Sequence, residues 1–290
     1  MLELIINNNK DIETVCLVEN GKLIEKYQND ENTKNNRFEG NIYAGRVAEI
    51  VPGMQATFVD YGDSKKGLLH LKDALPQVDE KTGTPEDISN KKISDILKQN
   101  QKILIQIKKD SNDRKGAKVS THISLPSRYI VFMPNTEILT ISQKISDAKR
   151  KEELLKLVKN NLEKNNGAVI RTAAIDASDE EIKKDIDRCI KKWKKISSDY
   201  EKSKNGTLIY ESESVQAKIL LDIKVDKVIT NDQEEFDKLK KLMQFEEIKG
   251  VKLEYSPKQD LLAMYDLNTQ IKKSKERKFW LNCRRIYNYR

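Results

Sequence analysis

Apolar and polar residues alternate over 41–62, and the alternation is interrupted at Pro52-Gly53 before it resumes. Alternation with a period of two predicts half-buried antiparallel strands, and Pro-Gly predicts a tight turn between them. Similar patterns predict three more strands, at 67–71, 102–108 and 118–125, and one helix, at 93–99. Five short strands with a helix between the third and the fourth are typical of a Greek-key barrel of the OB type.

The segments on both sides of this predicted barrel contain further strand and helix patterns. Ser178 and Glu181 form a capping box, which predicts that a long basic helix begins at residue 179. After residue 208 strands and helices alternate, which indicates an α/β layer that the N-terminal strands could complete. Outside the barrel, the predicted strands are 2–8, 13–19, 22–27, 129–133, 168–172, 208–210, 228–230 and 251–255, and the predicted helices are 147–163, 179–196, 213–221, 232–243 and 260–278.

The composition indicates a basic protein with a well-solvated surface. The chain has 290 residues, of which 34% are charged, and its formal net charge is +8. A basic balance favours polyanionic partners, although composition alone does not distinguish RNA from DNA or from an anionic membrane. The chain has no signal-peptide pattern and no apolar run near the roughly 20 residues of a membrane span. We therefore expect a cytoplasmic protein without a membrane partner.

Neither the cysteines nor the carboxylates and histidines form a recognisable catalytic or metal-binding pattern. Cys16, Cys189 and Cys283 are odd in number and far apart, so neither a disulfide framework nor a zinc site is predicted. The other candidates are interpreted as solvated carboxylates and as strand histidines; they are Asp60, Asp63, Asp222, Asp226, His70 and His122. We predict no catalytic residue and no metal site within this chain.

The second and third predicted barrel strands carry aromatic residues beside basic ones. Phe58 and Tyr61 lie near Lys65 and Lys66. An OB barrel presents these strands to single-stranded nucleic acid, where a base stacked on an aromatic ring contributes roughly 1–3 kcal/mol and basic side chains attract the phosphates. The same two rings could instead belong to the barrel core, and the pattern leaves both interpretations open.

Six short stretches occur in an order and spacing that resemble the ribonuclease E/G family of bacterial endoribonucleases. They are NIYAGRV, FVDYG, KGAKVSTHISLP, RYIVFMP, GAVIRTAA and, more weakly, ERKFWLN. The resemblance is strong over 39–210 and moderate over 1–38 and 211–282.

The resemblance implies an α+β multidomain fold. In it, a five-stranded S1/OB-type RNA-binding barrel at 39–125 is inserted in an RNase H-like α/β fold. The implied RNase H-like subdomain is discontinuous and comprises 1–38 plus 208–283. An α+β sensor unit for the 5′ end of RNA is expected at 126–207.

The resemblance also implies which barrel residues contact RNA. Phe58 matches the stacking aromatic of the S1 face, and Lys115 matches a lysine that contacts RNA. Leu68 stands where the family has a second aromatic residue, so its contact with a base is expected to be weaker. Together with the pattern described above, the candidate RNA-binding residues are Phe58, Lys115, Tyr61, Lys65 and Lys66.

Within the implied sensor unit, Arg171 and Thr172 match the pair that holds a 5′-monophosphate, and Val131 matches a position whose backbone helps to form that pocket. A guanidinium can donate two parallel charged hydrogen bonds to a phosphate, and a hydroxyl can add a third. Taken alone, Arg171 would more often form a surface salt bridge. The predicted strand places the two side chains on opposite faces, so the backbone N–H of Thr172 is expected to contribute. Ser127 replaces the usual glycine of an LPG turn, which alters the expected backbone approach.

Catalysis in the resembled family belongs to a region that has no match in these 290 residues. There, two aspartates of a DNase I-like domain hold Mg²⁺ for hydrolysis, and a cysteine pair binds the Zn²⁺ that joins subunits. We therefore expect no cofactor in this chain itself. The tail at 284–290, read in AT-rich codons and shifted by one base, gives Gly-Gly-Tyr-Ile-Ile-Ile. This leads to the hypothesis of a truncating frameshift, with a naturally divergent terminus as the alternative.

The sequence thus predicts the RNA-binding N-terminal part of a ribonuclease E/G family endoribonuclease that acts in RNA processing and decay. We expect it to bind single-stranded RNA and its 5′-monophosphate end, not DNA, and not to cleave RNA by itself. The family forms oligomers, and the oligomeric state of this chain is left open. The alternatives are a stand-alone RNA-binding or regulatory protein and a structural partner in a larger assembly.

Overall fold

The computed structural model describes residues 1–9, 12–30, 38–74, 91–111, 114–257 and 260–275. The chain divides into two compact units. The first combines Met1–Asn36 with Ser214–Arg290, and the second, Arg37–Glu213, lies between these segments in the sequence. Cys283, the ERKFWLN stretch and the tail at 284–290 lie outside the described residues.

The secondary structure is mixed throughout. The strands are β1 (Leu2–Asn9), β2 (Ile12–Glu19), β3 (Lys22–Asp30), β4 (Ile42–Val51), β5 (Ala56–Asp60), β6 (Gly67–His70), β7 (Lys102–Lys109), β8 (Lys118–Ser120), β9 (Leu125–Pro126), β10 (Ile130–Pro134), β11 (Leu139–Ile141), β12 (Asn166–Ile170), β13 (Leu208–Tyr210), β14 (Lys227–Thr230) and β15 (Lys252–Tyr255). The helices are α1 (Leu71–Ala74), α2 (Ile93–Ile96), α3 (Ala148–Asn161), α4 (Asp179–Lys202), α5 (Val215–Asp222), α6 (Gln233–Phe245), α7 (Leu261–Met264) and α8 (Leu267–Lys275). Pro52–Met54 and Thr172–Ala174 form 3₁₀ turns.

The second unit contains a closed five-stranded barrel, as the alternating pattern predicted. β4 pairs in antiparallel fashion with β5 on one side and with β7 on the other, and the parallel pair of β6 and β8 closes the ring between them. Val59, Leu69 and Ile105 point inward and are fully buried. The α+β fold with an OB-type barrel is therefore confirmed.

Two elements of this barrel differ from the prediction. The strand predicted at 118–125 ends at Ser120, because Ser120 Oγ and the Thr121 N–H both donate to the carbonyl of Asp73 (3.0 and 2.9 Å), which turns the chain away from the sheet. β13 extends the barrel sheet through the pair of Leu208 and Tyr43, although its position in the sequence placed it in the α/β layer. Strand pairing between distant segments has no local sequence signal.

A second sheet of this unit has the strand order β11-β12-β10-β9. α3 and α4 cover it, and Leu154 of α3 and Ile186 of α4 share a core with Phe132 of β10. The predicted capping box at the start of α4 is confirmed. The Ser178 N–H donates to Glu181 Oε2 (2.9 Å), and the Glu181 N–H donates to Ser178 Oγ (3.3 Å).

α4 extends to Lys202, six residues beyond the predicted end at 196. A basic side chain from the barrel supports the additional turns. Lys102 Nζ, on β7, donates to the carbonyls of Tyr200 (2.6 Å) and Ser203 (2.7 Å). A cation at the carboxyl end of a helix stabilises it by satisfying terminal carbonyls and opposing the helix dipole.

The first unit is a five-stranded sheet in the order β15-β14-β1-β2-β3. β1, β14 and β15 run parallel, whereas β1, β2 and β3 form an antiparallel meander that turns at Asn20-Gly21. Both turn residues have positive φ (50° and 78°), as an Asn-Gly hairpin turn requires. The N-terminal strands thus complete the α/β layer, as the sequence suggested.

Helices cover both faces of this sheet. Leu4 of β1 shares a core with α5 and α6, and the next residue, Ile5, packs against α7 and α8 on the other face. The helix predicted at 260–278 is broken into α7 and α8, because Asp266 adopts a left-handed conformation (φ 51°) that ends the first helix. Within the described ranges, no helix combines the length and the apolar character that crossing a bilayer requires.

Candidate nucleic-acid interface

The outer face of β5 and β6 carries the first candidate surface. Thr57 pairs with Leu69 and points inward, so the neighbouring pair, Phe58 and Leu68, points outward. Both outward side chains are half-buried. The structure therefore places the predicted stacking residue on the barrel surface and not in its core.

Phe58 lies in a groove of about 1040 Å³ on this face. Among the described residues, the groove contains six basic side chains and two acidic ones beside apolar side chains. It is lined by Met54, Phe58, Lys66, Leu68, His70, Lys72, Asp73, Lys109, Asp110, Arg114, Lys115, Gly116 and Lys118. An aromatic ring surrounded by cations suits single-stranded nucleic acid, because the ring stacks on a base while the cations follow the phosphates.

A close backbone contact determines where two of these lysines lie. A Cβ atom at Gly116 would lie 2.0 Å from the carbonyl oxygen of Lys66, so only glycine permits this approach. Lys115, the residue before Gly116, consequently lies beside the turn that carries Lys66. This close approach explains why the KGAK sequence at 115–118 has glycine at its second position.

Two of the predicted barrel residues are placed elsewhere. Tyr61 is only 3% exposed, its ring packs edge-on against Tyr43, and its hydroxyl donates to Asp63 Oδ2 (2.9 Å). Burial raises the pKa of Tyr61 above its ordinary value. Its ring belongs to the barrel core and cannot stack on a base, which corrects the prediction. Lys65 is exposed. Its neighbour Lys66 lines the groove, whereas Lys65 is not among the described residues that do.

Several groove residues had not been identified in the sequence. They lie on α1, at the end of β7, in the connection between β7 and β8 and on β8, and the fold of the barrel brings them to one groove; they are Lys72, Lys109, Arg114 and Lys118. Lys118 alone had a usable signal, since strand alternation places it on the face opposite its neighbour Val119, which is buried. Lys118 Nζ also contacts Asp73 Oδ2 (2.9 Å), which partly neutralises it.

The carboxylates are exposed or, at Asp60, half-buried, as the interpretation of solvated side chains expected, and the second histidine is half-buried. Asp60 forms an exposed ion pair with Arg46 (3.3 Å), and Asp226 Oδ2 accepts the N–H of Leu2 (2.6 Å). Burial lowers the pKa of His122, which favours its neutral form. Within the part of the chain that the structure describes, no group of three or more His, Cys, Asp and Glu side chains is arranged to hold a metal ion.

The second candidate surface lies where β12 ends. The predicted strand at 168–172 stops at Ile170, so Arg171 and Thr172 lie immediately beyond it and Thr172 begins a 3₁₀ turn. The expectation of opposite faces assumed that both residues belong to one strand, and the strand does not include them. Arg171 Nη1 donates to the carbonyl of Ser127 (2.8 Å), and the Arg171 N–H donates to the carbonyl of Tyr129 (2.8 Å).

The hydroxyl of Thr172 has a partner that sequence analysis did not identify. Thr172 Oγ1 and Ser142 Oγ lie 3.0 Å apart, and the Ser142 N–H donates to the carbonyl of Ile170 (2.9 Å). Ser142 follows β11, the parallel neighbour of β12, so sheet pairing brings the two hydroxyls together. Thr172 is exposed.

Val131 and Ser127 lie on the adjoining segment. Val131 is half-buried in β10 and pairs with Val169 on one side and with Pro126 on the other. The side chain of Ser127 is directed to the buried Asp185 (2.5 Å), so its hydroxyl does not stand between its own backbone and Arg171. The serine side chain is therefore compatible with the contact between the Ser127 carbonyl and Arg171.

Comparison with known proteins relates this chain to ribonucleases E and G. The model of the "Ribonuclease E/G family" matches residues 124–284. Ribonuclease G of Salmonella typhimurium is 30% identical over 282 residues, which cover 95% of this chain and 57% of that protein. Ribonuclease G of Haemophilus influenzae is 33% identical over 274 residues, or 93% and 54% of the two chains. Ribonuclease E of Buchnera aphidicola (subsp. Schizaphis graminum) is 32% identical over 230 residues, or 77% and 23%. The chain thus spans about half the length of the ribonuclease G relatives that it matches.

Proposed function

Because this chain belongs to the ribonuclease E/G family, we propose that it is the RNA-binding N-terminal part of an endoribonuclease of that family. It binds single-stranded RNA in the barrel groove and holds a 5′-monophosphate end beside Arg171 and Thr172. The observation that supports this best is the half-buried, outward-facing ring of Phe58 in a groove with six basic side chains among its described residues.

Binding in the groove follows from the two kinds of side chain that meet there. A base stacks on Phe58, while Lys66 and Lys115 attract the flanking phosphates. Leu68 adds apolar contact but no second π face. Single-stranded RNA is favoured over a duplex, because the bases of a duplex are already stacked on one another and do not expose their faces.

The 5′ end is held by charge-assisted hydrogen bonds. The Arg171 guanidinium is a planar donor that matches a phosphate, and the Thr172 hydroxyl donates or accepts beside it. The contact with Ser142 orients that hydroxyl. A 5′-hydroxyl end lacks the negative charge that these donors recognise and is therefore bound more weakly.

We assign no hydrolytic step to this chain. The resemblance implies Mg²⁺ and Zn²⁺ for a region without a match here, and the described residues provide no fitting ligand set of three or more carboxylate, imidazole or thiolate groups. The roles of this chain are to bind the strand and to position its end. The proposed cellular setting is RNA processing and decay in the cytoplasm.

Removal of the Phe58 ring tests the groove. We expect Phe58→Ala to lose roughly 1–3 kcal/mol of affinity for a short single-stranded AU-rich RNA in fluorescence anisotropy titrations. Phe245→Ala is the matched control, because this ring is 62% exposed and lies in the other unit. Equal losses in both variants, or none in either, would contradict binding in the groove and favour a purely structural role.

The 5′ end and cleavage are tested with the same RNA. Arg171→Ala should remove any preference for a 5′-monophosphate over a 5′-hydroxyl end, and equal affinity for both ends in the wild type would exclude the sensor.

Incubation of the purified chain with Mg²⁺ and the monophosphorylated RNA should yield no products on a gel. Cleavage there would refute the assignment of binding alone.

A further inference from the structure

The carboxylate of Asp185 is fully buried, at 0% exposure, and it accepts three hydrogen bonds. Its donors are the Ser127 hydroxyl (2.5 Å), the Tyr129 N–H (2.9 Å) and Arg188 Nη2 (3.0 Å). Two of the three come from the segment that connects β9 and β10. A buried charge with several short hydrogen bonds strongly restricts the geometry of the groups that surround it.

Arg171 also forms hydrogen bonds with the segment that connects β9 and β10. The Arg171 N–H donates to the carbonyl of Tyr129, and Nη1 donates to the carbonyl of Ser127, both at 2.8 Å. Ser127 therefore connects two charged groups. Its hydroxyl is bound to the carboxylate of Asp185, and its carbonyl receives the guanidinium of Arg171. Ser127 is 6% exposed, so water does not readily replace either bond.

We propose that the hydrogen bond between Ser127 and Asp185 positions the Arg171 guanidinium for a 5′-phosphate, an inference that rests on the proposed function of Arg171. The bond fixes the orientation of the Ser127 peptide, and that peptide carbonyl limits the rotamers of the arginine. A guanidinium that is already oriented loses less conformational freedom when it binds a phosphate. Ser127 and Asp185 are positioning residues in this scheme, since neither contacts the phosphate.

The decisive variant is Ser127→Ala, which removes the hydroxyl and keeps the carbonyl. The measured quantity is the ratio of the Kd values for 5′-hydroxyl and 5′-monophosphate RNAs of one sequence. We expect this ratio to fall by about tenfold, the scale of one hydrogen bond to a charged group. Affinity for the 5′-hydroxyl RNA should not change, because the barrel groove provides it. A change confined to the ratio distinguishes positioning from a general loss of structure.

Ser178→Ala is the matched control. It also removes a serine hydroxyl that supports α4, but at the helix start, where Ser178 Oγ accepts the Glu181 N–H. It should lower the melting temperature and leave the ratio unchanged. If Ser127→Ala does not fold at the assay temperature, Ser127→Cys keeps the volume with a much weaker hydrogen bond and should show the same fall.

The outcomes separate the two proposals. A wild type that discriminates between the ends, with Ser127→Ala discriminating equally well, would overturn the positioning role and leave Arg171 as the sensor. A wild type that binds both ends equally would overturn the sensor and with it the positioning role. A ratio that falls equally in Ser127→Ala and Ser178→Ala would show that stability of α4, and not orientation of Arg171, is responsible.

Discussion

Leu68 lies opposite Phe58 on the outer face of the barrel, and both side chains are half-buried. Leucine contacts a base without offering a π face. We therefore expect Leu68→Phe to strengthen binding of single-stranded RNA by roughly 1 kcal/mol or more, since a stacked base contributes about 1–3 kcal/mol. Anisotropy titrations at constant salt measure the change. Unchanged affinity in a variant that melts like the wild type would show that no second base reaches this position.

Cys16 makes the first unit sensitive to alkaline pH. Burial raises the pKa of its thiol to about 11 from 9.0. Because the folded-state pKa is the higher one, the contribution to stability is complete below pH 9 and is lost as the pH rises to about 11. Two pH units correspond to roughly 2–3 kcal/mol. Urea unfolding at a series of pH values should show a steeper decline for the wild type than for Cys16→Ala, and parallel declines would contradict this assignment.

The sequence contained more information about the candidate site than the aromatic pattern alone suggests. Phe58 and Tyr61 are three residues apart, and an odd separation in a strand places two side chains on opposite faces. Only one of the rings could therefore face RNA, and the buried Thr57 has the same parity as Tyr61. Arg171 and Thr172 were identified through the resemblance, whereas Ser142 and Asp185 become visible only when the strands and α4 are packed together.

At the level of whole elements, alternation predicted the barrel strands because one face of each is buried against the core. The capping box predicted where α4 begins, since both of its partners lie within four residues of each other. What could not be predicted depends on distant segments. Lys102 extends α4, and Asp73 ends β8 by accepting hydrogen bonds from Ser120 and Thr121.

The extension of α4 by Lys102 can be measured. Lys102 Nζ donates to two terminal carbonyls and lies 4.5 Å from the centroid of the Tyr200 ring. We expect Lys102→Met, which keeps the aliphatic stem, to reduce the free energy of unfolding by about 1–2 kcal/mol. Lys156→Met on the exposed face of α3 is the control and should shift stability by less than about 0.5 kcal/mol. Equal effects in chemical denaturation would mean that the carbonyl contacts of Lys102 contribute nothing.

At the scale of the whole molecule, both candidate surfaces lie in the second unit, while the net charge of +8 belongs to the entire chain. RNA could therefore be attracted by the surface in general or by the groove in particular. These possibilities differ in their dependence on salt. Each phosphate contact of a single strand contributes about 0.7 to the slope of log K against log salt, so the six cations among the described groove residues correspond to a slope of about 4 in magnitude.

Two adjacent lysines distinguish a localised from a diffuse interaction. Lys66 lines the groove, and its exposed neighbour Lys65 is not among the described residues that do. We expect Lys66→Ala to reduce the magnitude of the salt slope by about 0.7 and Lys65→Ala to leave it unchanged. Both variants lose one positive charge, so diffuse attraction to a basic surface must weaken equally in the two. Equal slopes for both variants in salt titrations would therefore locate the RNA outside the groove, whatever the affinity of the wild type.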